Sequence, residues 1–195
     1  MIIFGGGFYY WRLESSLNKT PEIKLFEEEQ AQFPLFYRHE FHGISMTYPP
    51  SWKLSSSQQK SPIVAQFIPQ KTDSFLIIPE VKIEVKPSKV NSLDQYTTNS
   101  VYQITQVPQA KIIDSRPVKL AGKNGHKVIF TTVDPDNGIE QKYLQAWVLQ
   151  EDLAYIITYQ ATIDDYPNFA EAVEQDMLQS IHINLNSKSK VRNSN

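Results

Sequence analysis

The stretch from His126 to Ala161 narrows the fold more than any other part of the chain. Three runs suited to β-strands, residues 126–133, 140–150 and 154–161, follow one another with only a few residues between them. Asp134-Pro135-Asp136-Asn137-Gly138 separates the first two and has the composition of a turn. Proline sets the first turn residue, while asparagine and glycine accept positive φ. Strands joined so closely must run antiparallel, because a parallel pair needs a crossover of a dozen or more residues. In the third run Tyr155, Ile157 and Tyr159 alternate with Ile156 and Thr158, so one face of the sheet carries several rings.

The rest of the body extends this pattern. Ile44, Met46 and Tyr48 alternate with Ser45 and Thr47, and Pro49-Pro50 ends that ladder for want of N–H donors. Residues 63–68 and 81–85 read as further strands, and residues 111–120 as another, broken by Pro117. Ser92-Leu93-Asp94-Gln95 has the spacing of a capping box, and Leu93, Tyr96, Ser100, Val101 and Ile104 recur at helical spacing. A helix over 93–106 follows, closed by Pro108. Gly122-Lys123-Asn124-Gly125 reads as a turn. Tyr166-Pro167 opens a last helix with Phe169, Val173, Met177 and Ile181 on one stripe, and Asp164 and Asp165 stand where carboxylates cap helix N-termini. The order strands, helix, strands, helix predicts an α+β fold, an antiparallel sheet with helices packed on its faces.

Composition bounds what such a domain does. The 195 residues suffice for one globular domain with tails, and 41% hydrophobic with 21% charged residues is ordinary for a packed core. No cysteine is present, which excludes disulfides, thiol catalysis, cysteine metal sites and a lipid-modified N-terminal cysteine. With 19 basic and 21 acidic residues spread along the chain, no basic stripe marks it as a nucleic-acid binder. Residues 1–13 form an apolar segment, Ile2 to Trp11 ending at Arg12. It is too short to span a bilayer, which takes about 20 residues, yet it is aromatic like the interfacial end of a membrane anchor. Residues 14–40 read as a polar stalk with a short helix over 21–33 and a solvated Glu27-Glu28-Glu29 run; 41–185 form the domain, and 186–195 a disordered tail.

The residues offer little chemistry. Asp134, Asp136 and Gly138 begin like a calcium loop, but the sixth position is Ile139 and the twelfth Gln145, where glycine and glutamate are needed, so a hairpin turn is expected. His39 and His42 precede a strand, His126 starts one, and His182 stands at a helix end where a cation suits the dipole. Each reads as structural. Tyr143, Trp147, Tyr155 and Tyr159 would suit a stacking platform, but without a basic surround they read as packing beneath a helix. No serine-nucleophile elbow is present, and Gly5-Gly6-Gly7 lacks the lysine of a phosphate loop. No catalytic, cofactor-binding or metal-ligating residue is assigned. A serine, a histidine and an acid brought together in space would revive a hydrolase reading.

GISMTYPPSWKL at 43–54, PEVKIEV before the SLDQY helix, AKIIDSRPVKLAGKNGHKVIF, YIITY at 155–159 and the final MLQSI, in that order over about residues 40–183, resemble the PsbP-like family of extrinsic photosystem II proteins and their cyanobacterial relatives. The resemblance implies an α/β/α sandwich with a central antiparallel β-sheet, no catalytic activity, and attachment to photosystem II on the lumenal side of the thylakoid. It also implies a link to oxygen evolution and to retention of calcium and chloride. The N-terminal segment of plant members has no match here, and the lipid-modified cysteine of bacterial members is absent. Similar domains also follow a single membrane helix in some cyanobacterial serine/threonine kinases. This gives a second expectation: a sensor or interaction domain of a membrane receptor at the periplasmic face of the plasma membrane.

Overall fold

The alternating runs become a seven-stranded antiparallel sheet in the computed structural model, which describes residues 33–55 and 62–184. The chain divides into two units, residues 1–32 and 33–195. The first unit lies outside the described residues. So do the apolar N-terminal segment, the glycine triplet, the glutamate run and the C-terminal tail. The elements run β1 (Leu35–His39), β2 (Ile44–Tyr48), β3 (Trp52–Ser55), β4 (Ile63–Pro69), β5 (Glu80–Pro87), α1 (Leu93–Thr105), β6 (Lys111–Leu120) and β7 (Lys123–Val133). They continue with β8 (Glu140–Gln150), β9 (Leu153–Thr162), α2 (Tyr166–Glu171), a π-helical segment (Ala172–Met177) and β10 (His182–Ile183). The main sheet has the order β3-β4-β5-β9-β8-β7-β6, and a second sheet has the order β1-β2-β10.

Helices pack on both faces of the main sheet, as the alternation requires. On one face Val128, Phe130, Trp147, Ala154 and Ile156 pack with Ile104 of α1. On the other, Phe67, Ile83, Leu144, Ile157 and Tyr159 pack with Val173, Met177 and Ile181, and the small sheet adds Tyr37, Ile44, Met46 and Ile183. Three buried tyrosines tie these layers together. Tyr37 Oη donates to the Val64 carbonyl at 2.8 Å, Tyr155 Oη to the His42 carbonyl at 2.8 Å, and Tyr159 Oη to the Tyr166 carbonyl at 2.9 Å. Burial pushes the phenols of Tyr37 and Tyr155 up to about 12, so both remain donors at any ordinary pH.

Several local expectations are corrected. The stretch read as a stalk contains β1, so the folded domain includes residues before 41. Only Tyr37 of its five residues is buried, which leaves almost no alternation to detect. After the Pro49-Pro50 break Trp52 begins a further strand, β3, opposite Pro69. His182 lies not at a helix end but on β10, opposite Ser45. Pro117 does not break β6, because β6 is an edge strand and its ring needs no donor on the open side. The turn read at 122–125 is tighter: Ala121 and Gly122, both at positive φ, form the two-residue connection, and Asn124 and Gly125 already pair within β7. Gly125 is required there by close approach, since a Cβ would stand 2.6 Å from the Trp147 carbonyl oxygen.

The start of α2 also differs. Asp165 has a helical backbone and makes no side-chain cap; its carboxylate accepts from Thr162 Oγ1 at 2.8 Å, while its N–H donates to that oxygen at 3.1 Å. The following helix widens into π geometry, with Leu178 N donating to the Val173 carbonyl at 2.9 Å. Val173 and Met177 face the core as the stripe requires.

Tyr48 and Trp52 close this core near the Pro49-Pro50 break. Tyr48 packs its ring 4.8 Å from Phe67, and Trp52, 1% exposed, meets Phe169 edge-on at 5.5 Å. Trp52→Ala is expected to cost about 3–5 kcal/mol and to lower the melting temperature in a thermal denaturation experiment. An unchanged melting curve with lost partner binding would instead make this segment a recognition loop.

Candidate functional site

Helix α1 has 13 residues and lies on one face of a seven-stranded sheet, so it cannot cover that face. Its N-terminus is held by Ser92 Oγ, which accepts from Gln95 N at 3.4 Å, and its middle by Trp147 Nε1, which donates to Thr97 Oγ1 at 3.0 Å. Grooves remain on both flanks. Toward β5, two cavities of about 280 and 260 Å3 share Lys86, Tyr96, Ser100 and Gln103. Toward β6, a cleft of about 510 Å3 is lined by residues including Asp94, Thr98, Asn124 and His126.

The second cleft adjoins a serine–histidine pair. Ser115 stands opposite Val128 and His126 opposite Pro117, one step apart on the same face, and Ser115 Oγ lies 2.9 Å from His126 Nε2. The His126 ring stacks on Trp147 at 5.5 Å. Burial lowers its pKa, partly offset by the Asp114 charge. Asp114, however, pairs with Arg116 at 3.2 Å. The contact supplies two members of a triad: among the described residues no acid is hydrogen-bonded to the imidazole to orient it.

The remaining sequence candidates are dispersed. The Asp134–Gly138 turn is self-satisfied: Asp134 Oδ1 accepts from Asp136 N at 2.9 Å and Asn137 N at 3.4 Å, and Gly138 takes positive φ. Among the described residues no group of three or more His, Asp or Glu side chains is placed to hold a metal ion. His39 and His42 do meet, at the tip of the β1–β2 hairpin. Their rings stack at 5.0 Å and His42 N donates to His39 Nδ1 at 3.3 Å. The four aromatic residues split between faces: Trp147 lies in the core under α1 with Tyr143 packed against it, whereas Tyr155 and Tyr159 join the opposite core. They are packing groups, not a platform.

Sequence reading missed a buried ion pair on the α2 side. Lys127 Nζ lies 2.5 Å from Glu174 Oε2, with side chains 7% and 28% exposed. Lys142 Nζ stands 4.4 Å from the centre of the Tyr166 ring, whose buried hydroxyl has no hydrogen-bond partner among the described residues. No local signal marks this cluster, because its members are brought together across 47 residues of chain.

The sequence profile of a family described as PsbP-like protein matches residues 9–193. Among curated proteins none matches this chain. The fold is similar to that of LpqN, involved in cell envelope biogenesis of Mycobacterium tuberculosis, with a TM-score of 0.62 at 12% identity over 78% of this chain and 91% of that one. It is also similar to cyanobacterial PsbP from Synechocystis, with a TM-score of 0.56 at 13% identity over 78% and 94% of the two chains. A putative regulator from Pseudomonas aeruginosa shares the fold at a TM-score of 0.53 and 16% identity, over 73% and 92%. At such identities the three likenesses establish the fold alone.

Two predictions follow from these contacts. Burial lowers the pKa of His39, His42 and His126, and His39 lowers that of His42 further. The unfolded chain therefore binds more protons, so this stability is present above the ordinary imidazole value of about 6.5 and is lost as pH falls below it. Melting temperature should drop between about pH 7 and pH 5, and His42→Gln should flatten that slope in a denaturation series. Removing one partner of the buried pair, by Lys127→Ala, should cost about 3 kcal/mol, measured by urea denaturation.

Proposed function

The chain belongs to the PsbP-like family, and on that premise we propose that it is a non-catalytic extrinsic protein of photosystem II or its assembly intermediates. It would act on the lumenal side of the thylakoid membrane. The observation that carries this reading is the family match over residues 9–193, nearly the whole chain. The likeness to the fold of cyanobacterial PsbP supports it.

The site geometry favours binding over catalysis. A triad needs an acid holding the imidazole in the tautomer that accepts the serine proton, and here Asp114 is engaged with Arg116 instead. No helix among the described residues is long and apolar enough to cross a membrane. Attachment through the folded domain would therefore rest on surface contacts. Exposed apolar side chains such as Phe36 and Phe41 on the β1 hairpin, and Tyr102 and Val107 at the C-terminal end of α1, are available to make them.

An affinity-tagged chain expressed in its native host is expected to fractionate with thylakoid membranes and to co-purify with photosystem II or its assembly intermediates. Recovery in the soluble cytoplasm would overturn the proposal, and so would recovery with a plasma-membrane receptor.

A further inference from the structure

We propose that the groove between β5 and α1 binds a small amphipathic anion, with its apolar body against Pro87, Val90 and the Tyr96 ring and its charged head at Lys86 and Lys89. This goes beyond any docking on photosystem II and does not depend on it. Pro87, Val90 and Tyr96 give the outer cavity its apolar wall, and the buried Trp147, Ile104 and Ile156 close the inner one from beneath. The outer cavity opens between Lys86 and Lys89, and the four residues common to both make them one continuous groove.

The rim is rich in donors. Each ammonium group offers three hydrogens and no acceptor, and Gln103 adds an amide, while the Ser100 and Tyr96 hydroxyls are bonded to each other. Burial and the Glu84 charge raise the pKa of the Tyr96 phenol against its bond to Ser100, so the hydroxyl pair stays neutral and keeps one donor for a ligand. Glu84 is the acid nearest Lys86, but their separation of 3.9 Å is longer than a direct charge-assisted hydrogen bond. The Glu84 charge reaches Tyr96 in the groove, and two lysines against this one carboxylate still leave the mouth positive. A cationic head would face these ammonium groups directly, and a neutral one would use only the amide and hydroxyls. Cavities of about 280 and 260 Å3 are small for ligand sites and suit a short chain or a ligand of one or two rings.

The test titrates 8-anilinonaphthalene-1-sulfonate into the full chain and follows its emission. Decanoate and decyltrimethylammonium then serve as competitors of equal chain length and opposite charge. Saturable binding is expected, displaced by decanoate and not by the cation. The double variant Lys86→Glu, Lys89→Glu should weaken it roughly tenfold or more with an unchanged melting curve. Amide chemical-shift changes on adding decanoate should fall on β5, α1 and the loop between them. Equal displacement by the cation would overturn the proposal, as would unaltered affinity in the double variant or shifts confined to another surface.

Discussion

Strands β8 and β9 are buried on both faces, and the two layers of the molecule depend on that. Residues 146–148 and 154–157 are all buried, so each successive side chain must find a core on its own side of the sheet. Trp147 and Ile156 demand cover from α1, while Tyr155, Ile157 and Tyr159 demand it from α2, the π-helical segment and the small sheet. Side chains that alternate across a strand make these two demands inseparable. Removing either layer would expose half of the most apolar strands in the chain.

The two layers are not equivalent. On the α2 side buried tyrosines donate to carbonyls, Lys127 pairs with Glu174, and Lys142 stands over the Tyr166 ring. Such an ion pair contributes little net stability against hydrophobic replacements, although removing one partner leaves the other charge uncompensated. On the other side a single helix of 13 residues spans too little of the sheet. The open flanks are therefore where polar and apolar groups stand together, which is the condition for recognising a ligand.

Much of the fold was legible because its decisive signals are local. The Asp134–Gly138 turn, the Ser92 cap and the alternation in β9 each occupy a few consecutive residues, and each appears as read. The strands that escaped notice have weak local signals or distant partners. β1 exposes most of its side chains, and β10 has two residues that pair with β2 from the far end of the chain. Pro117 misled because a proline's effect depends on whether its strand is at an edge, and edge position is a property of the whole sheet.

By itself the sequence determined the antiparallel pairing, the amphipathic helices, the absence of thiol chemistry and the resemblance to one family. These follow from turn stereochemistry, side-chain period and residue identity, which need no knowledge of distant contacts. The tertiary structure alone decided that Lys86 and Lys89 share a groove with Tyr96, that Ser115 meets His126, and that Lys127 is buried against Glu174. The physical reason is that cavities and charge pairs form between elements, and their geometry depends on how a short helix happens to fit a wide sheet.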